Sequence, residues 1–205
     1  GKELKLAAEV DASVSDFMTT ARLYCSGLNF TFNPHRMILN KVTDCYLTRE
    51  DGERIEIQDD QLYRVVTDLY TGQMLGSVME MSYGLLKIEP KDKDGNPIEN
   101  LEDQAIMEGD KELKAWDAIA RYMQSFEDTD GDGIANVPEY YETTHGRKVV
   151  EDSRNIIDLV KQPNKFSAMI AGICLIFIVI IVLVVFLIRR MIRRIKVRKG
   201  KRNSK

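Results

Sequence analysis

Three aspartates at alternating positions, Asp128, Asp130 and Asp132, stand immediately before Gly133 in the run EDTDGDGIANVPEYYE. With Asp128 counted as first, Glu139 is twelfth, so the spacing reads D-x-D-x-D-G-x-x-x-x-x-E, the pattern of a calcium loop. Three carboxylates and a bidentate fourth supply oxygen ligands to a hard cation. Ile134 would add its carbonyl, and Asn136 a ligand directly or through water. Gly133 gives the sharp turn that brings the later ligands back onto the earlier ones.

Two positions depart from a paired EF-hand. Ala135 stands eighth, where the larger apolar residue is usual, and Ile134 stands seventh. Pro138 also discourages a regular exit helix. The run is similar to the isolated DxDGDG loops of extracellular proteins, and the expected cofactor is a structural calcium ion that stiffens residues 128–139. A solvated acidic turn is the alternative.

The elements that must position this loop are a helix before it and a strand after it. Asp110 to Phe126 reads as an amphipathic helix, with Leu113, Trp116, Ile119, Ala120 and Met123 on one face, Asp110 capping its start and Trp116 as a core anchor. KVV at 148–150 reads as a closing strand. A short helix is expected within Ser153 to Val160, ended by Pro163. Upstream, GKELKLAAEV carries a partial helical stripe of Leu4, Ala7, Ala8 and Val10. LNFTF, KVTDCYLT, ERIEI and LYRVVTDLY then alternate at the period of strands, and Asp51-Gly52 suits a tight hairpin turn. Residues 71–85 suit helix or loop, LLKIEP suits a strand, and PKDKDGNPIEN suits an exposed loop or hairpin. His35 and Arg36 fall in a polar turn where solvation is expected. The fold class is α+β: antiparallel or mixed strands with flanking helices, followed by a single transmembrane helix.

That last element is FSAMIAGICLIFIVIIVLVVFLI, residues 166–188, which holds no charged residue. As a helix it reaches roughly 34 Å, enough to cross a bilayer core of about 30 Å. Ten of the 29 Lys and Arg follow Ile188, and all 32 Asp and Glu precede Phe166. Basic flanks stay on the cytoplasmic side. The expected arrangement is a single-pass protein of the cell membrane, with an extracellular N-terminal part and a cytoplasmic tail at 189–205. Arg189, Arg190, Arg193, Arg194, Lys196, Arg198 and Lys199 would meet anionic lipid headgroups. The tail has no interleaved aromatics for base stacking, so no nucleic acid is expected as a partner. Ala168 with Gly172, and Ser167 with Ala171, are small residues spaced to pack a second helix.

The chain opens without Met, inside what reads as a helix, so an exported upstream part is expected to precede Gly1. Of the three cysteines, Cys174 lies in the apolar run. Cys25 and Cys45 would face each other in a hairpin centred near His35, either as a disulfide in an oxidising exterior or as unpaired thiols.

GKELK, CSGLNFTFNP, NKVTDCYL, the DGERIE hairpin and QLYRVVTDLY, in that order, resemble the C-terminal domain of the 5'-nucleotidase and UDP-sugar hydrolase family. The resemblance covers roughly residues 1–126. It implies a nucleoside-binding domain whose catalytic partner is a metallophosphatase domain holding two divalent metals. In that family the residue about seven places after the Tyr of the YRVAT segment is an aromatic that stacks on the nucleobase, and here, counting from Tyr63, Tyr70 stands there. A strand-end aromatic packed in the core is the other reading of Tyr70. The family's GGDGY loop is replaced by TGQMLGSV. With only His35 and His145, the chain has too few imidazoles for the dinuclear site and is not expected to hydrolyse anything by itself.

The expected division is a nucleotidase-like domain at 1–127, the acidic loop at 128–139, a closing segment and stalk at 140–165, the membrane run and the tail. The expected function is the nucleoside-recognising part of a membrane-anchored 5'-nucleotidase-like metallophosphatase, with a nucleotide or nucleoside, membrane lipid and the upstream metallophosphatase domain as partners. The alternative is a non-catalytic, calcium-stiffened surface module.

Overall fold

A computed structural model describes residues 1–14 and 22–202, without the side chains of Gly76, Met81 and 194–202. The chain divides into two units, Gly1–Arg154 and Asn155–Lys205. The first is α+β, with a mixed sheet.

In the first unit, helix α1 spans Lys2–Val14 and is followed by strands β1 (Leu28–Phe32), β2 (Val42–Thr48) and β3 (Arg54–Glu56). Strand β6 (Lys148–Val150) completes the sheet in the order β3-β2-β1-β6. β1 runs antiparallel to β2, with Phe30 opposite Cys45, and parallel to β6, with Phe30 opposite Lys148. Phe30, 1% exposed, packs with Ala8 and Ala12 of α1, and Phe32, Val42 and Cys45 close around them. The small alanines let the helix lie close on the sheet.

The buried face of α1 also carries charge, which the apolar stripe did not foretell. Glu9 is 6% exposed and its carboxylate accepts from the Lys41 and Val42 N–H groups at 2.6 and 2.9 Å. The Ser13 hydroxyl donates to Glu9 and accepts from the Leu39 N–H at 2.9 Å. Leu39 has φ of 60°, a left-handed backbone that costs a leucine energy, so the Ser13 contact helps hold the turn. Asp11 accepts from the Leu23 N–H and pairs with Lys148 at 2.8 Å. Helix and strand β6 are thereby tied across the sheet.

Three expectations are corrected in this region. Asn33 N–H bonds the Lys41 carbonyl, centring the β1–β2 connection nearer residue 37 than His35. Cys45 therefore faces Phe30, Cys25 precedes β1, and both thiols are free. Burial pushes the Cys45 thiol up to about 11 against the opposing pull of Lys5, and burial also raises Cys25. Arg36 is not solvated: it is 3% exposed, and its Nε donates to the Asn40 carbonyl at 2.7 Å. The Asp51-Gly52 turn is as expected, with Gly52 at φ of 85° between β2 and β3.

The middle of the unit departs further. LYRVVTDLY is not a strand: residues 61–68 form no strand pairing among the described residues, and helix α2 begins at Leu69 and runs to Met81. LLKIEP forms no strand either, although Leu86 and Ile88 are buried. PKDKDGNPIEN makes a hairpin-like turn with an isolated bridge from Lys91 to Pro97. A 3-10 turn at Leu101–Gln104 precedes the short strands β4 (Met107–Glu108) and β5 (Lys111–Glu112), which pair antiparallel. Asp110 lies in the turn between them beside Gly109 at φ of 61°, so it caps no helix. Helix α3 begins later, at Ala115, and ends at Gln124. Trp116 is 72% exposed and anchors no core.

In the second unit, α4 (Ile156–Val160) is capped by Asn155, whose side chain accepts from the Ile157 N–H. Pro163 separates it from α5, Lys165–Arg202. Asn164 starts α5 by accepting from the Phe166 and Ser167 N–H groups, both at 3.0 Å. The stretch Lys165–Arg193, 29 residues, is one helix long and apolar enough to cross a membrane. The backbone helix continues through the first basic residues. The side chains of Arg194, Lys196, Arg198 and Lys199 lie outside the described residues.

Candidate functional site

The carboxylates of Asp128, Asp130 and Asp132 each bring an oxygen within 4.8 Å of the others, all exposed. A cation bound at 2.3–2.6 Å places opposite ligands about 4.6–5.2 Å apart, so three oxygens at this spacing fit around one hard ion. Backbone geometry makes the cluster. The Asp128 carboxylate accepts from the Gly133 N–H at 2.9 Å and the Gly131 N–H at 2.7 Å. These bonds, that of Gly133 first, hold its carboxyl below the ordinary carboxylate range. Asp132 accepts from the Ile134 N–H at 2.8 Å, and Asp130 from the Asp132 N–H at 3.2 Å. Gly133 has φ of 85°, which a side chain would resist, and this turn lets the N–H groups point inward.

The remaining expected ligands are placed differently. Asn136 reaches the cluster with its amide nitrogen, which donates to Asp130 at 3.5 Å. Its oxygen is occupied by the Thr129 N–H at 2.6 Å and hydroxyl at 2.9 Å. The Ile134 N–H faces Asp132. Glu139 does not join the three aspartates; Pro138 precedes it in extended backbone, and Glu139 opens a four-residue 3-10 turn, Glu139–Glu142. The loop as it stands has half of the twelve-residue pattern assembled.

The spacing of acidic residues gave no hint of an aromatic clasp across the loop. Tyr122 and Phe126 at the end of α3 meet Tyr141 after the loop, with Phe126 and Tyr141 centroids 5.6 Å apart. The Tyr122 and Tyr141 hydroxyls hydrogen-bond each other, a contact that raises the Tyr141 phenol above its ordinary range. His145 stacks on Tyr140 at 4.1 Å. The clustering of Tyr, Phe and His on both sides of the aspartates was the available sequence signal.

Tyr70 lies in the first turn of α2 and is 62% exposed, so its ring is not core. Asp68 fixes that turn: its carboxylate accepts from the Thr71 N–H at 2.8 Å and hydroxyl at 2.7 Å, which lowers its pKa. The two histidines serve elsewhere. His35 bonds Asp152 at 2.5 Å, and neither histidine joins a metal-ligating group among the described residues. Comparison of the chain with family models, with curated proteins and with solved structures gave no match.

Proposed function

We propose that the chain is the nucleoside-recognising part of a membrane-anchored hydrolase of the 5'-nucleotidase type, with a C-terminal-domain-like fold of that family. The observation that carries this reading is Tyr70: an exposed phenol ring held at a capped helix start, at the position where the resemblance implies a base-stacking aromatic. Its ring face would take a nucleobase by apolar contact and offset stacking, of order 1 kcal/mol beyond area burial. In this reading hydrolysis would belong to a metallophosphatase domain of the same polypeptide, because two histidines, His35 and His145, are too few for a dinuclear metal site. Calorimetric titration of the full chain in detergent micelles with AMP, adenosine and a UDP-sugar tests recognition. Binding that weakens about tenfold in Tyr70→Ala supports it, and absence of binding to all three ligands refutes it.

In this reading, Lys165–Arg193 spans the membrane, the acidic first unit lies outside the cell and the basic end lies in the cytosol against anionic headgroups. Protease added to intact cells would then remove the first unit and spare the tail.

The aspartate cluster favours a second, compatible role: a structural calcium ion held by Asp128, Asp130 and Asp132, completed when Ile134, Asn136 and Glu139 close in. Its effect would be to stiffen the passage from α3 to β6. Calcium titration followed by thermal melting tests it.

A further inference from the structure

We propose that Leu62–Thr67 is an open backbone edge that docks an extended strand of a partner polypeptide bearing β-branched side chains and a carboxylate. The sequence LYRVVT has strong strand preference, and residues 61–68 run without turn, bend or helix. Yet no backbone N–H or carbonyl between Leu62 and Thr67 takes a backbone hydrogen bond among the described residues. Leu62, Val65 and Val66 are 50%, 62% and 70% exposed. Alternation puts Leu62, Arg64 and Val66 on one face and Tyr63, Val65 and Thr67 on the other. Apolar residues on both faces mark a strand that expects cover on both sides.

The edge is held at its ends. The Tyr63 hydroxyl accepts from the Gln58 N–H at 2.8 Å, and Asp68 caps α2. A segment fixed at both ends loses little freedom on binding. Its chemistry selects the occupant. Only another extended backbone offers N–H and carbonyl groups at the right repeat; lipid and helix surfaces do not. Arg64 is exposed and has no ion pair among the described residues, so a facing carboxylate would match it. The inference does not depend on nucleotide recognition: Tyr70→Ala should leave it unchanged.

The test is amide hydrogen exchange on the full chain in detergent micelles, with an end-blocked peptide of alternating valine and threonine carrying one central glutamate. The expected result is exchange at 62–67 slowed at least tenfold by this peptide and unaffected by the same peptide N-methylated at alternate residues. Val65→Pro removes one N–H in a segment with negative φ and no backbone bond, so the fold survives, as unchanged exchange in β1 and β2 would verify. It should weaken the peptide at least tenfold. Arg64→Glu should shift preference to a lysine-bearing peptide. No slowing at millimolar peptide, or equal slowing by the N-methylated peptide, overturns the proposal. Slow exchange in the chain alone that rises with protein concentration also overturns it, assigning the edge to a second copy.

Discussion

The sheet with α1 and the span from Leu62 to Gln124 are built from similar residues and end differently. Around Phe30 the apolar groups are covered, and the charges beneath α1 each have partners: Glu9 on two backbone N–H groups, Asp11 on Lys148. From Leu62 to Gln124, Val66, Trp116 and Ile119 stand in solvent at 70%, 72% and 59% exposure. The first region covers its central apolar groups, while the second buries Leu86 and Ile88 and presents much of its other apolar surface outward. Strand preference becomes a strand only where a partner edge exists, and helix amphipathicity becomes burial only where an opposing surface exists.

Substitutions can break that contrast. The largest expected effect is Phe30→Ala, which empties the centre of the covered region and should cost about 3 kcal/mol or more in denaturant unfolding of the full chain. Glu9→Gln weakens two charge-assisted bonds to the β1–β2 connection and should cost about 2 kcal/mol by the same measurement. For the acidic loop, calcium at about tenfold its dissociation constant should stabilise by about 1 kcal/mol, a rise of a few degrees in Tm, and Asp130→Ala should abolish the rise. An unchanged midpoint across millimolar calcium would leave the loop a solvated turn. Trp116→Ala should change stability by less than about 0.5 kcal/mol, the mark of a residue with no core around it. A loss several times larger would show that α3 is covered after all.

The smallest effect is a titration. Asp128 has a depressed folded-state pKa because its carboxylate accepts from the Gly133 and Gly131 N–H groups. Such a group contributes fully above its ordinary value of 3.8 and loses that contribution as pH falls through the lower folded-state pKa. Carboxyl NMR of Asp128 should show protonation below that of an unperturbed aspartate, with the Gly131 and Gly133 amide shifts following it.

Local rules carried the reading where the structure is local. The Asp51-Gly52 turn, the strands around Phe30 and Cys45, the break at Pro163 and the alternating aspartates follow from residue types a few positions apart. Long-range facts did not. Glu9 lies on a helix face that apolar counting assigns to the core, and what lets it stay is a pair of backbone N–H groups at 41 and 42. The residues after Tyr63 alternate as a strand does, yet Asp68 turned the chain into α2 by capping it through Thr71. Asp110 has the chemistry of a cap, but Gly109 placed it in a hairpin turn. In the acidic loop the three aspartates converge as their spacing suggests, while Pro138 and the Thr129 contacts hold Glu139 and the Asn136 oxygen away.

Strand β6 lies beside β1 although Lys148 follows Phe30 by more than half the length of the chain. During synthesis, β1 must therefore wait with one side bare until almost the whole first unit has left the ribosome. A nick in the long excursion between them would leave two fragments still joined by the sheet and by the Asp11–Lys148 and His35–Asp152 contacts, so protease damage there would stay hidden until denaturant or heat pulled the pieces apart.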